Sequence, residues 1–255
     1  MNVLYIGITG FTSSHEVQSI LDALPAQSEL KIMVGVLATL KTLREQGNKR
    51  PARYLKLEDI QHVFIPHPLA LNLIHYATSE QKSLLCQMSA MTLHGGTHLH
   101  GFQLNCPWPP DQALRLYRYH HPDKKIVIQV GARAFEEIAH SPSTLVQYLR
   151  RYQDVADYVL LDASGGTGKP LDPDTLRPYL EALRNSTLKI GVGIAGGLGS
   201  PAGLSKLQII TQEFPDISID AESNIRDADD NLDLDAATRY VRTSLRTFTD
   251  ARHQW

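Results

Sequence analysis

Short apolar runs rich in valine, isoleucine and leucine alternate along the chain with longer stretches whose apolar residues recur every three or four positions. The first pattern indicates buried parallel strands, and the second indicates helices that pack one face against a sheet. Eight strand-like runs occur, at residues 2–8, 30–38, 71–77, 101–106, 125–130, 155–163, 188–195 and 216–221. Eight parallel strands that alternate with helices predict an α/β fold, a closed (β/α)8 or TIM barrel.

Helical spacing fills most of the intervals between these runs. The predicted helices cover residues 16–24, 79–93, 110–120, 142–153, 174–183, 204–214 and 235–246. One stretch, residues 42–69, breaks the alternation because it contains Gly47, several prolines and a basic cluster that includes Arg53. We interpret it as an enlarged loop after strand 2 with one short helix at residues 57–64, and long loops in compact barrels usually serve function.

Length and composition are consistent with this fold and narrow the class of partner. The 255 residues are typical of one TIM barrel, so we expect a single domain over residues 1–255. The net charge of −2 gives no indication of nucleic-acid binding or of an anionic membrane surface. The two cysteines fit neither a disulfide framework nor a zinc site, and no leader or membrane-length apolar run is apparent. We therefore expect a cytoplasmic protein with a small-molecule partner and neither nucleic acid nor membrane as a partner.

Candidate chemistry lies where strands end, because TIM barrels carry their active sites at the C-terminal ends of the strands. The turn Gly196-Gly197 follows strand 7, and Ser223-Asn224 follow strand 8. Glycine-rich turns let an anion approach backbone N–H groups, and a following helix N-terminus adds favourable charge. These two neighbouring turns predict a phosphate site; alternatively, the glycines only turn the chain.

Asp162 ends the apolar run of strand 6. A carboxyl group buried at a barrel mouth is a natural general acid, since burial favours its protonated form. The alternative is that Asp162 forms an Asx turn or caps a helix.

Several strand-end motifs, in order along the chain, resemble those of phosphoribosylanthranilate isomerases. They are Gly7-Ile8-Thr9, Gln103-Leu104, Leu161-Asp162 followed by Gly165-Gly166-Thr167-Gly168-Lys169, Ala195-Gly196-Gly197-Leu198, and Asp220 with Ser223. The resemblance implies an Amadori-type isomerase of tryptophan biosynthesis, acting on a phosphoribosyl or related sugar phosphate, with Asp162 as the acid. It also implies that Gly166, Thr167 and Gly168 belong to the substrate-binding loops and that no organic cofactor is needed.

The resembling family's base is a cysteine directly before the Gly-Ile-Thr motif, where this chain has Ile6. Isoleucine cannot accept a proton, so we expect weak or absent activity on phosphoribosylanthranilate and a gain of activity in Ile6→Cys. Strand alternation turns Asp220 and Glu222 towards the barrel mouth, which makes either carboxylate a candidate substitute base. The alternative for both is an ion pair with a nearby lysine or arginine.

The first half of the chain departs further from the family. Asn105 stands where the family has histidine after Gln-Leu, and Asn224 and Arg226 replace a glycine and a glutamate. Alternation points Gln103 and Asn105 into the pore and Cys106 towards a helix. We therefore count Gln103 and Asn105 among the candidate substrate-binding residues.

Arg53 is a candidate cation for a substrate carboxylate, with a solvated basic loop as the alternative. Histidines at 75, 94, 98 and 100 could hold a metal, but they lack accompanying carboxylates, and we predict no metal site. The alternative functions are a barrel that binds a phosphorylated ligand without isomerising it, and a lyase or epimerase.

Overall fold

The computed structural model describes residues 3–25, 27–162 and 172–252. Eight parallel strands pair in chain order, and β1 pairs with β8 to close the barrel. The strands are β1 (Tyr5–Thr9), β2 (Lys31–Thr39), β3 (Ala70–Ala77), β4 (Gly101–Asn105), β5 (Lys125–Val130), β6 (Tyr158–Asp162), β7 (Gly191–Ala195) and β8 (Ile217–Ala221). The predicted (β/α)8 TIM barrel is confirmed.

Helices surround the barrel at the predicted intervals. They are α1 (Ser14–Leu21), α2 (Leu40–Leu43), α3 (Leu84–Gly95), α4 (Asp111–His120), α5 (Ala132–Glu137), α6 (Pro142–Leu149), α7 (Pro173–Arg184), α8 (Pro201–Glu213) and α9 (Leu234–Arg252). The sequence pattern missed α2 and α5 because four and six residues are too short to show helical periodicity. No helix in the three described ranges combines the length and apolar character that crossing a bilayer requires.

The enlarged segment after β2 lies outside the barrel, as predicted. It contains a short 3-10 helix, Leu57–His62, within the predicted range 57–64. Tyr54 forms an isolated bridge with Leu37 of β2, so the segment touches the barrel edge without supplying one of its strands. Leu57 and Ile60 are buried against the helical layer, and this packing fixes the segment beside the barrel mouth.

The buried side chains form two layers separated by the strands. The inner layer fills the barrel and consists of Tyr5, Met33, Leu71, Leu73, Val127, Tyr158, Leu160 and Ala195. The outer layer lies between barrel and helices and includes Ile6, Ile8 and Cys106. Because successive strand residues point to opposite faces, this division assigns a direction to each side chain at the barrel mouth. Cys106 packs outside the barrel, as its alternation predicted.

Candidate active site

A cavity opens at the C-terminal ends of the strands, where TIM barrels hold their active sites. Its lining residues are His75, Gln129, Asp162, Ala195, Gly196, Gly197, Leu198, Gly199, Asp220, Ala221, Glu222, Ser223 and Asn224. The structure therefore brings the three predicted carboxylates, Asp162, Asp220 and Glu222, to the glycine turn after β7. Gly166, Thr167 and Gly168, also predicted to bind substrate, lie outside the described residues.

The glycine turn after β7 adopts a backbone conformation that ordinary residues avoid. Gly196 and Gly197 have φ angles of 120° and 65°, in the region that favours glycine. Ser200 begins the turn into α8: its hydroxyl donates to the Gly197 carbonyl at 2.7 Å and accepts the Gly203 N–H at 3.0 Å. This cap places the N-terminus of α8, with its partial positive charge, behind the turn.

The turns after β7 and β8 are in direct contact. A Cβ atom added to Gly199 would lie 3.0 Å from the Asn224 backbone, closer than van der Waals contact allows. Ser223 and Asn224 belong to a short 3-10 helix, Ser223–Ile225, that follows β8. The four residues predicted to hold phosphate thus form one continuous wall of the cavity.

Asp220 is buried at the bottom of the cavity. Its carboxylate accepts hydrogen bonds from Thr9 Oγ1 at 3.0 and 3.1 Å and from Gln103 Nε2 at 3.0 Å. Burial raises the pKa of Asp220 to about 7, with smaller contributions from nearby Glu222 and Asp162, although the bonds from Gln103 and Thr9 work in the opposite direction. A carboxyl group with such a pKa can both accept and release a proton near neutral pH.

Asp162 ends β6 beside the glycine turn, and its register partner on β7 is Ala195. The side chain is buried, and Gln129 Nε2 donates to Asp162 Oδ2 at 3.1 Å. Gln129 is a residue that the sequence reasoning missed. The bond orients the carboxyl group towards the cavity that also contains Asp220.

Arg53 reaches across the mouth from the enlarged segment and is almost completely buried. Its Nη1 donates to Glu222 Oε1 at 2.6 Å, its Nε donates to Asp230 at 2.8 Å, and its Nη2 contacts Asp230 as well. Burial lowers the pKa of Arg53, but the bonds to Asp230 and Glu222 outweigh this effect and raise it. Glu222 thus has the arginine partner that the sequence analysis gave as its alternative role.

His75 is a cavity residue that the sequence analysis grouped with the histidines before strand 4 and did not assign to the site. It faces the barrel interior from β3, beside Gln103 and Asn105 of β4, and its ring nitrogens contact both amides. Burial lowers the pKa of His75, while Glu222 and Asp162 oppose this effect. The signal was available, because Leu71, Leu73 and His75 alternate with outward residues along strand 3.

The structure corrects the expectation about Ile6. Ile6 belongs to the outer layer, whereas Tyr5, one residue earlier, belongs to the inner layer. The next inward position is Gly7, where an added Cβ would lie 2.8 Å from Asp220 Oδ1 and from Met33 Cε. A cysteine at position 6 would therefore point towards the helices, away from the cavity, and Ile6 is not the reason for a missing base.

The histidines before β4 lie at the other end of the barrel. The Nδ1 atom of His100 accepts the backbone N–H of Asn72 at 2.9 Å. Within residues 3–25, 27–162 and 172–252, no three histidine, cysteine, aspartate or glutamate side chains are arranged to hold a metal ion.

Solved structures with this fold include enzymes of unlike chemistry. The chain is similar to phosphoribosylanthranilate isomerase from Thermotoga maritima, with a TM-score of 0.61 and 17% identity over 94% of this chain and 98% of that one. A phosphoribosylanthranilate isomerase in complex with reduced 1-(o-carboxyphenylamino)-1-deoxyribulose 5-phosphate gives 0.60 and 16% over the same shares. The chitinase catalytic domain from Pyrococcus furiosus gives 0.59 and 10%, over 98% of this chain and 96% of that one. No protein-family model and no curated protein matches; at such identities the likeness shows the fold alone.

Proposed function

We propose that this protein is an isomerase that converts a phosphoribosyl compound or a related phosphorylated aldose into the corresponding ketose by acid/base chemistry. One observation carries the proposal: a single cavity contains two buried carboxyl groups, Asp162 and Asp220, beside the wall formed by the turns after β7 and β8. An aldose–ketose isomerisation needs one group that donates a proton and one that accepts a proton, and both must reach a substrate held by its phosphate.

In the proposed reaction, Asp162 protonates the ring oxygen of the sugar, and the C1–O bond breaks with its electrons going to that oxygen. The ring opens to an iminium or a protonated carbonyl group at C1. Asp220 then removes the proton from C2; the electron pair of the C–H bond forms the double bond between C1 and C2, and the π pair of the C1=N or C1=O bond moves to the nitrogen or oxygen. Asp220 returns its proton to C1, the C2 hydroxyl gives its proton to Asp162, and the O–H electron pair forms the C2 carbonyl of the ketose, so both carboxyl groups return to their starting states.

Asp220 is a better base than Glu222 in this scheme. Glu222 is about one-third exposed, and the Arg53 guanidinium occupies its carboxylate oxygen Oε1 at 2.6 Å. Asp220 accepts hydrogen bonds from the neutral donors Thr9 and Gln103, and its pKa of about 7 suits proton exchange at neutral pH.

The wall after β7 and β8 is proposed to bind the phosphate. The left-handed Gly196-Gly197 turn and the capped start of α8 provide the geometry and partial charge that favour an anion. The similar isomerase in complex with a reduced ribulose 5-phosphate derivative supports a phosphorylated ligand for this chain as well.

The test is an assay for ketose formation with phosphoribosylanthranilate and with ribose 5-phosphate, together with calorimetry for binding. We expect turnover by the wild type and a loss of about 10²–10⁴ in rate for Asp162→Asn, with binding retained, because the amide cannot donate a carboxylic proton. Asp123→Asn is the matched control, since Asp123 is an exposed carboxylate away from the cavity. Binding without turnover of any sugar phosphate would instead indicate a ligand-binding barrel.

A further inference from the structure

His75 lines the same cavity as the carboxyl groups of Asp162 and Asp220, but it has no role in the proposed reaction. It lies two residues before the end of β3, with Leu37 of β2 and Gln103 of β4 as its register partners. Its side chain is almost fully buried and forms part of the cavity wall. Burying an imidazole costs free energy unless its ring nitrogens have hydrogen-bond partners.

The Gln103 amide determines which ring nitrogen of His75 carries the proton. Gln103 Nε2 lies 3.0 Å from Asp220 Oδ2 and 2.9 Å from His75 Nδ1. An amide nitrogen has two hydrogens and no lone pair to offer, and an ionised carboxylate only accepts. Once Asp220 is ionised, above its pKa of about 7, one hydrogen therefore goes to each partner, Nδ1 is the acceptor, and the proton of neutral His75 is on Nε2. The reversed amide would place its oxygen against the Asp220 carboxylate, which is repulsive.

The Nε2 atom of His75 faces an exchangeable partner. It lies 3.2 Å from Asn105 Nδ2, and the Asn105 side chain is exposed at the end of β4. With a proton on Nε2, the Asn105 amide turns over to present its oxygen instead, since the two ends of an amide have nearly the same shape. An exposed side chain moves aside at low cost, and an oxygen atom of a ligand can then take the same N–H.

We propose that His75 is a further catalytic residue, whose Nε2–H donates a hydrogen bond to the C2 hydroxyl of the substrate. This inference rests on the proposed function, because it concerns the carbon whose proton Asp220 removes. The base, Asp220, and the donor, His75, lie on the two sides of the Gln103 side-chain amide. A hydrogen bond from His75 to the C2 hydroxyl therefore orients the C2–H bond towards Asp220. A neutral imidazole serves this task without protonating the hydroxyl, as neutral histidine does in other isomerases.

The first test compares ribose 5-phosphate with 2-deoxyribose 5-phosphate by calorimetry. The wild type should bind ribose 5-phosphate about 3–10-fold more tightly, the value of one neutral hydrogen bond. His75→Phe should bind the two sugars equally, whereas His75→Gln, which keeps a donor, should retain part of the difference. If the role of His75 were purely structural, His75→Phe would weaken the binding of both sugars equally. Circular dichroism checks that each variant is folded.

The second test determines the tautomer by 15N NMR of the histidine rings at about pH 8.5, where Asp220 is ionised. We expect His75 to carry its proton on Nε2 with a bare Nδ1, and Gln103→Leu to remove that preference. His100 is the matched control, because its Nδ1 accepts a backbone N–H that the variant leaves in place. His75→Gln identifies the His75 signals by their disappearance.

The outcomes separate the two proposals. A proton on Nδ1 or an imidazolium at about pH 8.5, or undiminished sugar discrimination in His75→Phe, overturns the role of His75 and leaves the proposed function standing. Failure of the wild type to bind either sugar phosphate overturns the proposed function and this inference with it. A preference for ribose 5-phosphate that depends on His75, together with the Nε2–H tautomer, supports both the proposed function and the role of His75.

Discussion

The two sides of the barrel mouth are built in different ways. On the side of β7 and β8, the Gly196-Gly197 turn and Ser223-Asn224 form the wall mainly from main chain in tight turns. On the side of β1 to β4, side chains from separate strands bond to one another in a chain that ends at Asp220. Main chain held in tight turns suits the binding of an anion. Side chains bonded to one another inside the barrel suit proton transfer, because burial and hydrogen-bond partners set the pKa of the carboxyl group.

Asp220 and Glu222, at the end of β8, differ in burial and in the partners of their carboxyl groups. Asp220 is buried with neutral donors, and its pKa is raised to about 7. Glu222, two residues later, bonds to the Arg53 guanidinium, and Asp230 shares that guanidinium and has its pKa lowered by it. The barrel thus keeps one carboxyl group ready to exchange protons and holds the neighbouring ones in an ion-pair cluster at the rim.

The largest expected effect comes from replacing Asp220, the proposed base. Asp220→Asn should lower the rate by about 10²–10⁴, because an amide cannot take the C2 proton. The wild-type rate should rise with pH through about 7, as the Asp220 carboxyl group ionises. A variant with full activity would assign the base to another residue.

The same substitution should change how stability depends on pH. Because the pKa of Asp220 is raised, the folded protein keeps a proton that the unfolded chain releases between about pH 4 and 7, so its free energy of unfolding falls as pH rises through this window. Asp220→Asn should remove on the order of 2–4 kcal/mol of that decline. Urea titrations from pH 4 to 8 measure it, and exposed Asp174→Asn is the control.

Next in size is the ion-pair cluster at the rim. Arg53→Met should destabilise the protein by about 2–4 kcal/mol, less than for a fully buried pair because Glu222 and Asp230 are each about one-third exposed and can take up water. The segment after β2 should also become sensitive to proteolysis. Arg53→Lys, which keeps the charge, should lose less; equal loss in both would show that guanidinium geometry, and not charge, fixes the segment.

The sequence predicted the β7–β8 side better than the β1–β4 side for a physical reason. Strands and glycine turns depend on near neighbours in the chain, so Gly196 and Gly197 were identifiable from their position after strand 7. His75, Gln103 and Asp220 are far apart in sequence, and only closure of the barrel makes them partners. The direction of Ile6 needed the register of β1, which the structure fixes through Tyr5 in the inner layer.

A smaller effect is expected at the wall formed by the turns after β7 and β8, the proposed phosphate site. Gly197→Val should weaken binding of phosphorylated ligands by about 1–3 kcal/mol, because a β-branched residue resists the φ of 65° and crowds the anion. Calorimetry with inorganic phosphate and ribose 5-phosphate measures the loss. Gly47→Val is the control, since nothing lies within 4 Å of an added Cβ there. Unchanged affinity in Gly197→Val would move the phosphate to another wall.

The smallest effect on activity is expected at Ile6. Ile6→Cys should leave the rate unchanged, because the new thiol would lie in the outer layer, while the smaller side chain should cost about 1–3 kcal/mol of stability. Thr9→Cys is the informative partner, because the Thr9 side chain points into the barrel and donates to the oxygens of the Asp220 carboxylate. It should change both the rate and the pH at which the rate rises. A gain of activity in Ile6→Cys with none in Thr9→Cys would mean that β1 presents the opposite face to the cavity. The hydrogen bonds between Thr9 and Asp220 would then be wrong.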